Sequence, residues 1–124
     1  EIDLAKLVWA EARGVPSVTE QACVIWTVLN RVDAHSSTVH SIVRAKDQYA
    51  FFESSPVDDD LYSLALDVLG RWDREKRGES SVGRVLPPDY TYFRSSGDGH
   101  NLFRNAFSGN FKIWDYSLPS PYKN

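Results

Sequence analysis

Ser17-Val18-Thr19-Glu20, continuing through Gln21-Ala22-Cys23-Val24-Ile25-Trp26-Thr27-Val28-Leu29-Asn30-Arg31-Val32, is the stretch around which this chain must fold. Pro16 ends the turn before it, and a serine followed three residues later by a glutamate has the form of a capping box. Beyond the cap, apolar residues cover most of the helix circumference. A helix that is apolar nearly all round belongs at the centre of a domain, with the other elements packed about it.

Working outward, a first helix is expected from Leu4 to Arg13, with Asp3 as N-cap and Gly14 just past its end. A short third helix is expected near Val39 to Ala45, after the capping residues Ser36-Ser37-Thr38. A fourth should run from about Asp58 to Arg77. Its acids lie at the N-terminal end and Arg71, Arg74, Lys76 and Arg77 towards the other, which suits the helix dipole. After Gly83 the character changes. Tyr90-Thr91-Tyr92-Phe93 reads as a strand, Ser95-Ser96-Gly97-Asp98-Gly99 as a loop, and Phe111-Lys112-Ile113-Trp114-Asp115-Tyr116 as a second strand paired with the first. No repeat and no long linker divides the chain. The reading is one α+β domain over residues 1–124, mostly helical, with a small C-terminal β-hairpin.

Bulk properties narrow the function. A chain of 124 residues is the size of one domain and can bury a core without metals or disulfides. The single cysteine, Cys23, lies in an apolar run, which rules out an intramolecular disulfide and reads as a small buried hydrophobe. A net charge of −3 argues against a nucleic-acid partner. No apolar run approaches the ~20 residues of a membrane span. The chain holds no methionine and begins at Glu1, so it is expected to be a processed piece, and a missing export signal then carries no information about location. His35 and His40 are five apart and no carboxylate pattern completes a site, so neither a metal nor another cofactor is expected. Nothing calls for a coiled coil or an obligate interface, and a monomer is expected.

One residue breaks the helical pattern. On a wheel at about 100° per residue, Leu4, Leu7 and Val8 define the apolar face of the first helix, and Glu11 falls in the middle of it. A carboxylate there is costly unless it is paired, neutral or lining a cleft. It also sits near the helix C-terminus, where the dipole disfavours negative charge. Both effects favour the protonated form, which is what glycosidic cleavage asks of its general acid. The same spacing fits a structural residue paired with Asn30, Arg31 or another buried polar group; a wheel does not distinguish a core from a cleft wall.

Trp9-Ala10-Glu11-Ala12-Arg13-Gly14, then Gln21, then Val28-Leu29-Asn30-Arg31-Val32, resembles the SleB-type cell-wall hydrolases, the spore cortex-lytic enzymes and their phage and bacterial relatives. Gln48-Tyr49-Ala50-Phe51 and Tyr92-Phe93 resemble later segments of that family less closely. The chain departs from the pattern at Val15 and Glu20, where many members carry a glutamate and a glycine. The resemblance implies a lysozyme-like fold, a location in the cell envelope or outside the cell, and cleavage of the β-1,4 bond between N-acetylmuramic acid and N-acetylglucosamine in peptidoglycan, with Glu11 catalytic. Spore members of the family act as lytic transglycosylases. A hydrolytic muramidase and a non-catalytic glycan-binding module are the alternatives.

Ordinary glycosidases use two carboxylates. Glu20, Glu53, Asp60 and Asp98 are acidic residues near element ends and are read as solvated surface charges. A lytic transglycosylase needs one carboxyl group, because the sugar's own C6 hydroxyl is the nucleophile. For the substrate groove, Gln48, Phe51, Tyr92, Phe93 and Asn101 are the expected binding residues. Tyr92 and Phe93 point to opposite faces of a strand, and Tyr92 is favoured because its hydroxyl can reach a sugar.

Overall fold

The computed structural model describes residues 2–45, 54–105, 109–114 and 118–122. Four helices, α1 (Ile2–Ala12), α2 (Val18–His35), α3 (Val39–Val43) and α4 (Asp59–Lys76), precede three short strands, β1 (Tyr92–Ser95), β2 (Asn101–Arg104) and β3 (Lys112–Ile113). The architecture is α+β, as the sequence predicts.

α2 is the central element. From Ala22 to Val32 every residue is buried. Trp26, Ile25, Val24, Val28 and Leu29 are fully shielded, at about 1.5–3 kcal/mol of transfer free energy for each large apolar side chain. α1, α3 and α4 pack on it, and α1 also packs on α4. Leu4, Leu7 and Val8 of α1, Leu61, Leu64, Ala65 and Val68 of α4, and Phe103 of β2 complete one apolar cluster.

Caps set the helix limits. Ser17 Oγ accepts from Glu20 N at 3.1 Å, Thr38 Oγ1 from Ser41 N at 3.1 Å, and Asp58 Oδ2 from Leu61 N at 3.0 Å. α2 ends at Ser36, which takes the left-handed conformation (φ 49°) and donates its N–H to the Val32 and Asp33 carbonyls. Asp3 does not cap α1. It lies in the first turn, and its two oxygens accept from Arg44 at 2.7 and 3.1 Å, tying the start of α1 to the end of α3. The Arg44 guanidinium holds the Asp3 carboxyl below the usual carboxylate range.

The end of α2 steers the chain into the sheet. The Asn30 amide donates to the carbonyls of Pro87 (3.0 Å) and Tyr90 (2.8 Å), and its oxygen accepts from Arg84 at 2.7 Å. Arg31 donates to Thr91 O at 3.1 Å. Arg84 also lies over the Trp26 ring at 4.2 Å and pairs with Glu75 at 2.5 Å, holding that carboxyl below its ordinary range. These bonds satisfy backbone carbonyls of a segment that has no sheet or helix partner of its own.

The sheet differs from the expected hairpin. β1 begins at Tyr92 rather than Tyr90, and it pairs antiparallel with β2, Phe93 opposite Phe103 and Ser95 opposite Asn101. The predicted partner, 111–116, supplies β3, whose Lys112–Ile113 pairs with β2 instead. A short connection explains the order. Residues 96–100 close on themselves through Ser96 N to His100 O at 2.9 Å, with Gly97 and Gly99 at φ 84° and 90°, so local pairing precedes any longer-range one.

Candidate active site

The last turn of α1 overhangs the core. Leu4, Ala5, Leu7, Val8 and Ala12 are buried, and Glu11 continues the same stripe but is only half-buried. At that level the helix faces a cavity of about 270 Å³. Glu11, Arg13 and Gly14 form one wall, and Ser95, Gly99 and His100 of the β1–β2 connection form the other.

The wall is fixed by bonds to carbonyls that the helix end leaves unpaired. Gln21 Nε2 and Val15 N each donate to Ala12 O at 3.0 Å. Arg13 donates to Trp9 O at 2.9 Å and stacks on the Trp9 ring at 5.3 Å. Asn30 and Arg31, the partners considered for a structural Glu11, are engaged with residues 84–92 as described above.

The opposite wall rests on Glu20. This residue was expected to be a solvated surface charge; it is 4% exposed. Nor does its carboxylate complete the capping box. Its Oε2 accepts from Asn101 N at 2.8 Å and its Oε1 pairs with His100 Nδ1 at 3.1 Å. The start of β2 folds over the N-terminus of α2, so Glu20 is covered while the dipole of that helix end favours its negative charge. The hydrogen bond to Glu20, then its charge, raises the His100 imidazole above its ordinary value. Asp98 is exposed, accepts from Ser96 Oγ, and lies in the same loop.

The expected groove residues separate. Asn101 is 1% exposed, and among the described residues neither atom of its amide has a hydrogen-bond partner. By register it shares the strand face of Ser95, a cavity residue. Phe93 is opposite buried Phe103 and packs against the core. Tyr92 is on the other face, with the guanidiniums of Arg31 (5.0 Å) and Arg104 (4.3 Å) near its ring centroid. Neither Tyr92 nor Phe93 is among the residues lining the Glu11 cavity. Gln48, Phe51 and Glu53 lie outside the described residues. Glu20, His100 and Arg13 were not read as site residues from sequence. A glutamate three residues after a serine signals a cap, and nothing local in Gly99-His100 signals that the two segments meet.

Cys23 fits its sequence reading. It is buried in the core, and loss of hydration pushes its thiol well up. A larger cavity, about 470 Å³, lies between residues 81–88 and Leu118–Pro119. The carboxyl that lines it among the described residues, Glu75, is held below its ordinary range by Arg84, which suits it poorly as a proton donor. The Glu11 cavity is the better candidate for acid–base chemistry.

Comparison with known proteins adds no relative. No protein family's sequence profile matches the chain, and neither a curated protein nor a solved structure is significantly similar to it. No helix among the described residues is long and apolar enough to cross a membrane.

Proposed function

We propose that the chain cleaves the glycan strands of peptidoglycan between N-acetylmuramic acid and N-acetylglucosamine, as a lytic transglycosylase with Glu11 as its acid/base, in the cell envelope or outside the cell. One observation carries the reading: the glutamate that extends the buried stripe of α1 stands on the wall of an open cavity beside a loop of polar residues. A glutamate-bearing helix end set against a small antiparallel sheet also supports a lysozyme-like reading of the fold.

In this chemistry the Glu11 carboxyl gives its proton to the bridging oxygen as the bond to the anomeric carbon breaks. The C6 hydroxyl of the same sugar then closes on that carbon. One carboxyl group can serve both proton transfers, since it is ionised by the first. The product is a 1,6-anhydromuramic end.

Purified sacculi test the reading. Wild type should clear them, Glu11→Gln should fold and not clear them, and mass spectrometry should find anhydro ends. Full activity of Glu11→Gln sinks the assignment. Reducing ends alone would make the enzyme a hydrolytic muramidase. Pull-down of sacculi without cleavage would make it a binding module.

A further inference from the structure

We propose that His100, held by Glu20, is the second proton-transfer group of the Glu11 cavity and accepts the proton of the attacking hydroxyl. The inference rests on the Glu11 reading above and reassigns one proton within it.

Three observations carry it. First, His100 lines the same cavity as Glu11, from the opposite wall. Second, its Nδ1 is bonded at 3.1 Å to a carboxylate that is itself fixed: Glu20 is buried, and its other oxygen accepts from Asn101 N at 2.8 Å. A buried carboxylate on Nδ1 selects the tautomer that carries its proton there, which leaves Nε2 as the acceptor and strengthens it as a base. Third, Nε2 has no hydrogen-bond partner among the described residues, and the His100 imidazole is 51% exposed. The backbone beneath it is pinned, because the His100 carbonyl accepts from Ser96 N at 2.9 Å. The carboxylate is buried and the imidazole open, which is the arrangement of an orienting acid behind a working base.

The step balances. A lone pair of the C6 hydroxyl forms the bond to the anomeric carbon, and the pair of the broken bond leaves with the bridging oxygen. That oxygen takes the proton of Glu11, while the proton of the hydroxyl goes to His100 Nε2. The enzyme ends with Glu11 ionised and His100 protonated, and exchange with solvent restores both.

Among the described residues, the charged groups around His100 are Glu20 from α2, Asp98 from its own loop, and Glu11 and Arg13 from the end of α1. Glu20 and Asp98 favour its protonated form. The neutral base therefore prevails at higher pH than for a histidine without these neighbours, and cleavage should fall as the pH drops and His100 becomes protonated.

The experiment is the pH profile of glycan-strand cleavage by wild type, His100→Ala and Glu20→Gln, with Glu11→Gln as reference. His100→Ala should lose about 10²–10⁴-fold in kcat with little change in KM, and added imidazole should restore part of it. Glu20→Gln, in which His100 loses its carboxylate, should move the acid limb to lower pH, a displacement that a purely structural role would not produce. An active wild type and dead Glu11→Gln, together with a His100→Ala variant that keeps both kcat and the acid limb, would overturn the proposal and leave Glu11 in place. Cleavage by Glu11→Gln would instead overturn the underlying reading.

Discussion

The imidazole of His100 and the carboxylate of Glu20 meet at 3.1 Å although 80 positions separate them in the chain. Their pairing links the N-terminal turn of α2 to the start of β2, and it gives stability a pH dependence. Glu20 raises the His100 pKa above its unfolded value of 6.5. The stabilisation is therefore fully present below that value and is lost as pH rises through the folded one. The gap in Tm between wild type and His100→Gln should be wide near about pH 5.5 and narrow near about pH 8.5. A gap that widens with pH would contradict the sign.

Among the described residues, the Asn101 amide has no hydrogen-bond partner, and its position is nearly sealed. Leucine has a similar branched shape and leaves nothing polar to desolvate. Asn101→Leu should therefore stabilise the fold, by about 1–3 kcal/mol in chemical denaturation. A fall in stability would show that the amide is satisfied in solution.

Asn30 and Arg84 form one hydrogen-bonded unit with the carbonyls of Leu86, Pro87 and Tyr90. Asn30→Ala should cost about 2–4 kcal/mol, since it strands buried acceptors. Arg84→Met should cost a similar amount. The double variant should cost less than the sum, with a coupling of about 1–2 kcal/mol, because the 2.7 Å bond between the two is lost only once. Strict additivity in urea melts would show that the two residues act separately.

Two backbone positions should respond in opposite directions. Ser36 occupies a left-handed conformation at the end of α2, and Ser36→Gly should gain about 1 kcal/mol. Gly83 has φ 83°, and a Cβ there would run into the Arg71 guanidinium. Gly83→Ala should lose about 2–4 kcal/mol. Equal effects in thermal melts would refute the conformational account.

The legible parts of the sequence were those whose cause is local. α2 and α4 were predicted within a few residues, because apolar spacing and an N-cap hydroxyl or carboxylate act within one turn. β2 escaped notice because its inward positions are Asn101 and Phe103 and its outward ones Leu102 and Arg104. A polar residue at a buried position and an apolar one at the rim erase the alternation that marks a strand. Asp3 was misread for a related reason: an aspartate at a helix start suits a cap or an ion pair, and only the position of Arg44 decides between them.

By itself, the sequence determined an α+β chain with a buried central helix and a glutamate placed on an apolar stripe, since each follows from the period of the helix and the chemistry of its caps. Tertiary structure alone decided that the stripe runs out beside a cavity at Glu11 and that Glu20 is buried behind His100. The reason is physical. Whether a carboxylate is solvated, paired or placed at a cavity depends on which distant segment covers it, and that is set by the packing of the whole chain.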